Sequence, residues 1–514
     1  MASRIYHQTS STGESTTTSS SYRDKATLTF TPDASSTYLI IATWLYQSRG
    51  SGVAAYSQLY DSTGSASLSE QVYYPKDTTD YISGGCAVTA SFGSSPSSQT
   101  YKVQYKSDGT ATAAIKQARI IAIKLSSNDQ YASSTGRDTY STNTAYQDKV
   151  TKTWTPAAGD YLILASAVMD HAFKIYQALP RIDVDGSAQY GTAAIQVYNA
   201  GSRIGYVYFQ KVTLTGASHT IKLQYATEAA NRAVGIASAY LTILSVADLP
   251  ALISAAQDTP QTDTDATKDH ALTADFSAAP AEDHIILACG LQSNASTTSS
   301  GSVGLYEGTT DLGTTLQEPA ATDATYPYFG SYFTADPADT YYVDVLAESA
   351  SYAATVDDIR IYGIQLEDSV TSVTASDTLL LKFGTETGAA PVGSISGTDT
   401  LLLKLGTETS SLNTTLSGAD TLLLKYSTET GSLAASLSAS DTLLLKWGTE
   451  YGEILGTFTN VSASDTLLLK FGTETGGLAA SLSASTATLE YTVQSVDSVT
   501  AGLAYKVAVT DSVT

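Results

Sequence analysis

Five histidines, two cysteines and a surplus of carboxylates are the groups of this chain that could do chemistry. His7, His171, His219, His270 and His284 are scattered, and no two stand at metal-ligand spacing. His284 opens the stretch HIILA, where two parallel stretches open with Tyr38 and Tyr161, so it reads as a structural substitution rather than a ligand. Cys86 and Cys289 stand 203 residues apart, in the small and apolar settings GGCAV and ILACG. That is neither a metal nor a redox spacing, and buried free thiols are expected, with an intermolecular disulfide as the other reading. DVDG at Asp183–Gly186 has the opening of a calcium loop without its spaced oxygen ligands or closing glutamate, which leaves a tight turn. No Gly-rich phosphate loop, G-x-S-x-G elbow or zinc signature occurs. A glycosidase needs only two carboxylates that meet in space, and no pair here is marked for that work. The chain is read as non-enzymatic, with no cofactor and no metal.

The 34 tyrosines offer another kind of chemistry. YYPKDTTDY (Tyr73–Tyr81), YVYF (Tyr206–Phe209) and TYPYFGSYF (Thr325–Phe333) gather aromatic rings near turns. Exposed rings would stack on sugars or protein partners; the plainer role in a β-rich chain is to fill core and sheet-face positions.

The elements that carry these residues are strands. Thr, Val, Ile and Tyr favour strands, Ser, Gly and Asp mark turns, and no long window repeats its apolar residues at the helical period. With 514 residues, about three to five domains are expected. A net charge of −23 argues against nucleic acid and anionic lipid as partners and keeps a large particle soluble. No apolar run approaches a membrane span, so no membrane insertion is expected. The opening MASRIYHQTSSTGESTTTSSSY lacks the apolar segment of a secretory signal, which predicts synthesis in a cytoplasm without the usual export. Residues 1–22 are Ser/Thr-rich and are expected to form a flexible arm.

Three landmarks recur in order. YLIIA from Tyr38, YLILA from Tyr161 and HIILA from His284 begin 123 residues apart. YKVQY from Tyr101, IKLQY from Ile221 and YYVDV from Tyr341 begin 120 apart. ARIIAIKL from Ala118, AYLTILSV from Ala239 and IRIYGIQL from Ile359 close the copies. Alternation in YKVQY puts Tyr101, Val103 and Tyr105 on one face and Lys102 and Gln104 on the other, a half-buried antiparallel strand. The prediction is an all-β chain: three tandem antiparallel β-sandwiches of jelly-roll type over residues 23–128, 129–248 and 249–366, then a β-rich repeat region over 367–514.

The Tyr-initiated apolar strand and the ARIIAIKL-type closing strand resemble those of the tumour-necrosis-factor-like jelly rolls of phage virion proteins, over residues 23–366. The resemblance implies trimers, a place on a virion surface and assembly in a host cytoplasm.

From Asp368 the texture changes. A core of Asp-Thr-Leu-Leu-Leu-Lys begins at Asp377, Asp399, Asp420, Asp441 and Asp465, followed by a variable apolar residue: Phe383, Leu405, Tyr426, Trp447 and Phe471. SLAASLSAS-type stretches lie between cores, giving two-stranded units of about 21 residues, too small to bury a core alone, which must stack on neighbours or on other chains. Strand alternation puts Leu379, Leu381 and Phe383 on one face and Leu380 on the other, so cover is expected on both faces. Leu380, Leu402, Leu423, Leu444 and Leu468 are the expected self-association residues, most simply in a shaft of three chains, each buried leucine contributing roughly 1.5–3 kcal/mol. The variable position reads as a tolerant apolar slot. The recurring Lys and Glu read as surface ion pairs between strands, each worth little. DSVT recurs at Asp368, Asp497 and Asp511; its last copy is an edge strand that needs a partner chain or a longer protein to cover it.

The expected function is that of a structural phage virion component, a fibre, spike or decoration protein, with itself and other virion proteins as partners. The alternative is a receptor- or glycan-binding fibre or adhesin on a cell-surface appendage, meeting a host glycan or protein through jelly-roll loops.

Overall fold

The computed structural model describes residues 6–366, apart from 139–140, 173–176, 198, 250, 265–266, 268, 277–282, 297–298, 318–324, 335–339 and 349–351, and beyond 371 the backbone of the strands. Residues 1–367 and 368–514 form two compact units, each taken by itself below.

In the first unit the landmark stretches become long central strands. The first copy contains β1 (Tyr6–Ser11), β2 (Ser15–Thr17), β3 (Arg23–Phe30), β4 (Thr37–Ser48), β5 (Ala55–Asp61), β6 (Ala66–Tyr73), β7 (Ile82–Ser91), β8 (Gln99–Ser107) and β9 (Ala113–Lys124). The second contains β10 (Gln130–Ser134), β11 (Gln147–Trp154), β12 (Gly159–His171), β13 (Ala178–Val184), β14 (Ala188–Tyr190), β15 (Arg203–Leu214), β16 (His219–Thr227) and β17 (Val234–Ser245). The third contains β18 (Leu252–Gln257), β19 (Gln261–Asp263), β20 (Asp269–Asp275), β21 (His284–Asn294), β22 (Gly301–Glu307), β23 (Thr310–Thr314), β24 (Tyr326–Thr334), β25 (Thr340–Ala347) and β26 (Ala354–Gln365).

One sheet order occurs three times. β1-β9-β4-β7, β10-β17-β12-β15 and β18-β26-β21-β24 form one set of sheets, and β3-β8-β5-β6, β11-β16-β13-β14 and β20-β25-β22-β23 the other. With β1/β2 and β18/β19 each counted as one split edge strand, both sheets of every copy follow the jelly-roll order, first-eighth-third-sixth and second-seventh-fourth-fifth. Residues 6–17, expected in a flexible arm, instead supply that split edge: Tyr6 pairs with Ile123 and Ser15 with Ile115.

The alternation in β8 is as expected, with Tyr101, Val103 and Tyr105 buried. The central strands β4, β12 and β21 are buried on both faces. In β21, Ile286 and Ala288 enter the core of their own sandwich, while Ile285, Leu287, Cys289 and Leu291 join the apolar cluster that runs through the first two.

In the second unit, equivalent strands of successive repeats pair in parallel. Thr378–Phe383, Thr400–Glu408, Thr421–Glu429, Thr442–Lys446 and the end of Thr457–Lys470 form one ladder. The intervening strands form another, with Val373, Ile395, Leu416, Leu437 and Val461 in register. The two strands of each repeat therefore do not close on each other as a hairpin; each finds its partners one repeat away, as in solenoids.

Candidate functional site

The strongest concentration of buried, specific contacts is the junction of the three jelly rolls. It is built by the sixth strands, β7, β15 and β24, which touch one another, and by the central strands beside them. Thr43, Ser166 and Cys289 occupy the same place in YLIIAT, YLILAS and HIILAC. Thr43 shares a hydrogen bond with the Ser331 hydroxyl at 2.7 Å, Ser166 donates to the Ala87 carbonyl at 2.7 Å, and the Cys289 thiol faces the Phe209 carbonyl at 4.0 Å. Their partners are equivalent as well: Ala87, Phe209 and Ser331 lie opposite Ile41, Leu164 and Leu287, the fourth residue of each landmark. Copy one thus meets copy three, copy two meets copy one, and copy three meets copy two. This is the contact pattern of a cyclic trimer, made within one chain.

A second cyclic set repeats the pattern. The start of each sixth strand pairs by backbone with the fifth-strand region of the preceding copy. Arg203 lies opposite Val72, the Leu316 N–H donates to the Tyr81 carbonyl at 2.9 Å, and the Thr325 N–H donates to the Ala194 carbonyl at 3.0 Å. The first of these contacts is reinforced by Arg203 Nη1, 2.6 Å from Glu70 Oε1. Other buried polar groups cross the junction as well, as where the Ser83 hydroxyl donates to the Phe329 carbonyl at 2.7 Å, and aromatic rings pack beside them. The Phe209 ring meets Phe329 at 6.0 Å and Tyr362 at 5.4 Å, both edge-on, a geometry that adds to simple burial. Gly85 belongs there because a Cβ would sit 2.7 Å from the Phe329 ring and 2.8 Å from the Ala42 carbonyl.

The closing strands carry a β-bulge at the same point in each copy, where register slips between Thr43 and Leu45, Ser166 and Val168, and Cys289 and Leu291. The bulged residues Gln117, Ser238 and Asp358 have left-handed backbone, with φ of 53°, 47° and 53°. Such bulges re-aim neighbouring side chains, here those of Arg119, Tyr240 and Arg360.

Most rings of the aromatic stretches that sequence offered for stacking or for the core lie in this interior, while Tyr74, Tyr332 and Phe333 are half-buried. Tyr73, Tyr81, Tyr206, Tyr208, Phe209, Tyr326, Tyr328 and Phe329 are all buried. Among the described residues only Tyr131 and Tyr352 are large exposed apolar groups. Cys86 and Cys289 are free and buried, and burial pushes the Cys86 thiol up to about 12. His284 is fully buried in the place of Tyr38 and Tyr161. DVDG forms a tight turn, closed by the Gly186 N–H to Asp183 Oδ1 at 2.9 Å, with Asp185 and Gly186 both at positive φ. Among the described residues no group of three or more His, Cys, Asp or Glu is placed to hold a metal.

Of the expected self-association residues, Leu380, Leu402, Leu423, Leu444 and Leu468 fall in one parallel ladder. Phe383, Leu405 and Tyr426 continue it in register. Trp447 and Phe471 lie outside the described residues, as do the side chains of this unit. The junction residues Thr43, Ser166 and Cys289 were missed by sequence reasoning, although the 123-residue landmark spacing places all three at one position.

No family model and no curated protein matches the chain. Among solved structures, a chain of the Sulfolobus Turreted Icosahedral Virus is similar at 11% identity, over 66% of this chain and 83% of that one, with a TM-score of 0.19. Another, of an archaeal virus with a triple jelly roll fold and turret assembly, is similar at 12% identity over the same shares, with a TM-score of 0.18. The major capsid protein of bacteriophage PM2 is similar at 11% identity, over 47% of this chain and 99% of that one, with a TM-score of 0.20. Overlaps this loose assign no role to the chain.

Proposed function

We propose that this protein is a non-enzymatic structural component of a virion, a fibre, spike or decoration protein on the surface of a phage particle. The observation that carries the reading is the cyclic junction: three jelly rolls on one chain contact one another through equivalent residues, as three subunits would. In this reading such an assembly serves as a platform, and its buried surfaces hold the three jelly rolls together. The sequence resemblance to phage jelly rolls supports the same reading.

Self-association belongs, in this reading, to the repeat region. Its leucines stack in register along one chain, and a second or third chain would cover the face carrying Leu380, Leu402, Leu423, Leu444 and Leu468. The partners are then other copies of this chain and neighbouring virion proteins. The host-binding alternative has fewer exposed rings to draw on, because most aromatic residues of those stretches are buried and Tyr74, Tyr332 and Phe333 are half-buried.

Immunogold labelling of purified phage particles with antibodies against residues 1–367 tests the role. Regular decoration of the particle surface is expected; particles that carry no label while the protein stays in the soluble lysate would overturn it.

A further inference from the structure

Arg119 and Arg360 hold the same position in the first and third jelly rolls, opposite Thr43 and Cys289 on the central strands. Their surroundings differ in two carboxylates, and where Arg360 meets Gln210, Arg119 meets Tyr332. Arg360 is neutralised by Asp258 at 2.5 Å and Asp358 at 2.8 Å, and its Nε donates to Gln210 Oε1 at 2.8 Å. In the first jelly roll the bulge residue matching Asp358 is Gln117, with the same left-handed φ. Asp258 directly follows β18, whose Gln257 lies opposite Ile359; its match is Thr12, which follows β1, whose Ser11 lies opposite Ala118. Both carboxylates have thus been exchanged for neutral groups.

Arg119 keeps Gln117, through Nη2 to Oε1 at 2.8 Å and a long contact of 3.5 Å to its carbonyl, and lies 5.6 Å from the centre of the Tyr332 ring. Among the described residues no carboxylate is within ion-pair distance of it. Asp311 acts on it from further away, and its Oδ1 already accepts from the Gly313 N–H and the Thr314 hydroxyl. Burial pulls the Arg119 pKa below the usual arginine value, the mark of a cation short of compensation. Arg119 is half-buried, and a guanidinium partly withdrawn from water gains from an anion that meets it.

Arg119 also lines a cavity of about 130 Å³ between the first and third jelly rolls, together with Ser10, Thr12, Ser331, Tyr332 and Phe333. That is well below the several hundred Å³ of a drug-sized pocket, and leaves room for a carboxylate and the few atoms that carry it. The planar guanidinium matches a carboxylate in a two-point pair, and hydroxyls nearby can serve its remaining lone pairs. We propose that this cavity binds a small carboxylic acid, whose carboxylate takes the place beside Arg119 that Asp258 fills beside Arg360, while Gln117 keeps the place of Asp358.

The test is a titration of the full chain with lactate and with glucuronate, followed by calorimetry and by melting temperature, with lactamide and glucose as neutral controls. Saturable binding of an acid at millimolar concentration, and none of the controls, is expected. Arg119→Gln should weaken that binding about tenfold or more. The double variant Thr12→Asp with Gln117→Asp rebuilds the third jelly roll's arrangement. It should abolish binding and melt above the parent protein when no acid is present. No saturable binding of either acid to the parent chain overturns the proposal, as does equal binding by the double variant.

Discussion

The Ser166 hydroxyl of the second jelly roll donates to the Ala87 carbonyl of the first across 2.7 Å, and both residues are buried. No water can replace the donor at such a place, so its loss leaves a carbonyl unsatisfied. Ser166→Ala should lower the unfolding free energy by about 1–3 kcal/mol, the usual cost of orphaning a buried acceptor. Chemical denaturation of the two proteins measures it. A change within error would mean that the contact contributes nothing to cohesion between jelly rolls.

Because the apolar cluster of the first jelly roll continues through the second and into β21 of the third, the three should not melt separately. Hydrogen exchange should give β4, β12 and β21 a common opening free energy, as expected of one cooperative unit. Gly85→Leu places a side chain against the Phe329 ring and the Ala42 carbonyl. Overpacking of this kind typically costs about 1–3 kcal/mol, and the loss should appear in all three strands at once. Loss of protection confined to β4 would show that the copies are independent.

The sandwich class was legible because YKVQY alternates, and a period-two pattern has one structural meaning. The junction was harder to read. YLIIA, YLILA and HIILA do not alternate, and an unbroken apolar strand implies cover on both faces. That logic was applied to the leucine triplets; for the central strands it would have announced that each sandwich packs on another. The contact order around the junction was beyond reach, since it depends on which face of β7, β15 and β24 meets which neighbour. Tyr206, Tyr208 and Tyr328 left two readings open for a related reason, since tyrosine is at home both on a wet surface and in a sheet-to-sheet interface, and the plainer core role is the one they take. In the repeats, the turn residues separated the two strands up to Lys446, but Thr457–Lys470 runs unbroken through SASD, and they could not say whether the strands pair with each other or with the next repeat.

Buried phenols and a buried thiol set the response to alkali. Burial pushes Tyr240 and Tyr362 up to about 12, and the Cys86 thiol to the same value. In the unfolded chain tyrosine loses its proton near 10 and cysteine near 8.5. Between these values and about 12 the folded protein holds more protons than the unfolded one, so stability falls as pH rises. It is fully present below about pH 8 and drains away toward pH 12. Melting temperatures between pH 7 and 12 should show that decline, and after an early contribution from exposed groups such as Tyr131, whose pKa is lowered by hydrogen bonds with Ser91 and Thr37, absorbance at the tyrosinate band should rise with unfolding. Loss of the Tyr240 or Tyr362 proton near pH 10 while the protein stays folded would contradict their buried placement.

Leu423 sits in the middle of the leucine ladder, with Leu402 and Leu444 opposite it on either side. Neighbouring strands in such a ladder are about 4.8 Å apart, so Leu423→Asp sets a carboxylate between two leucine positions. If other chains cover that face, the charge must be desolvated on every association, and unpaired burial of a charge is among the costliest substitutions. Light scattering of the full chain should give a multimer for the parent and at least a tenfold weaker association for the variant, about 1.4 kcal/mol. The melting of residues 1–367 should stay unchanged, since the substitution lies in the other compact unit. A monomeric parent chain at micromolar concentration, or a variant that associates as well as the parent, would remove the shared shaft and leave the ladder as a stack within one chain.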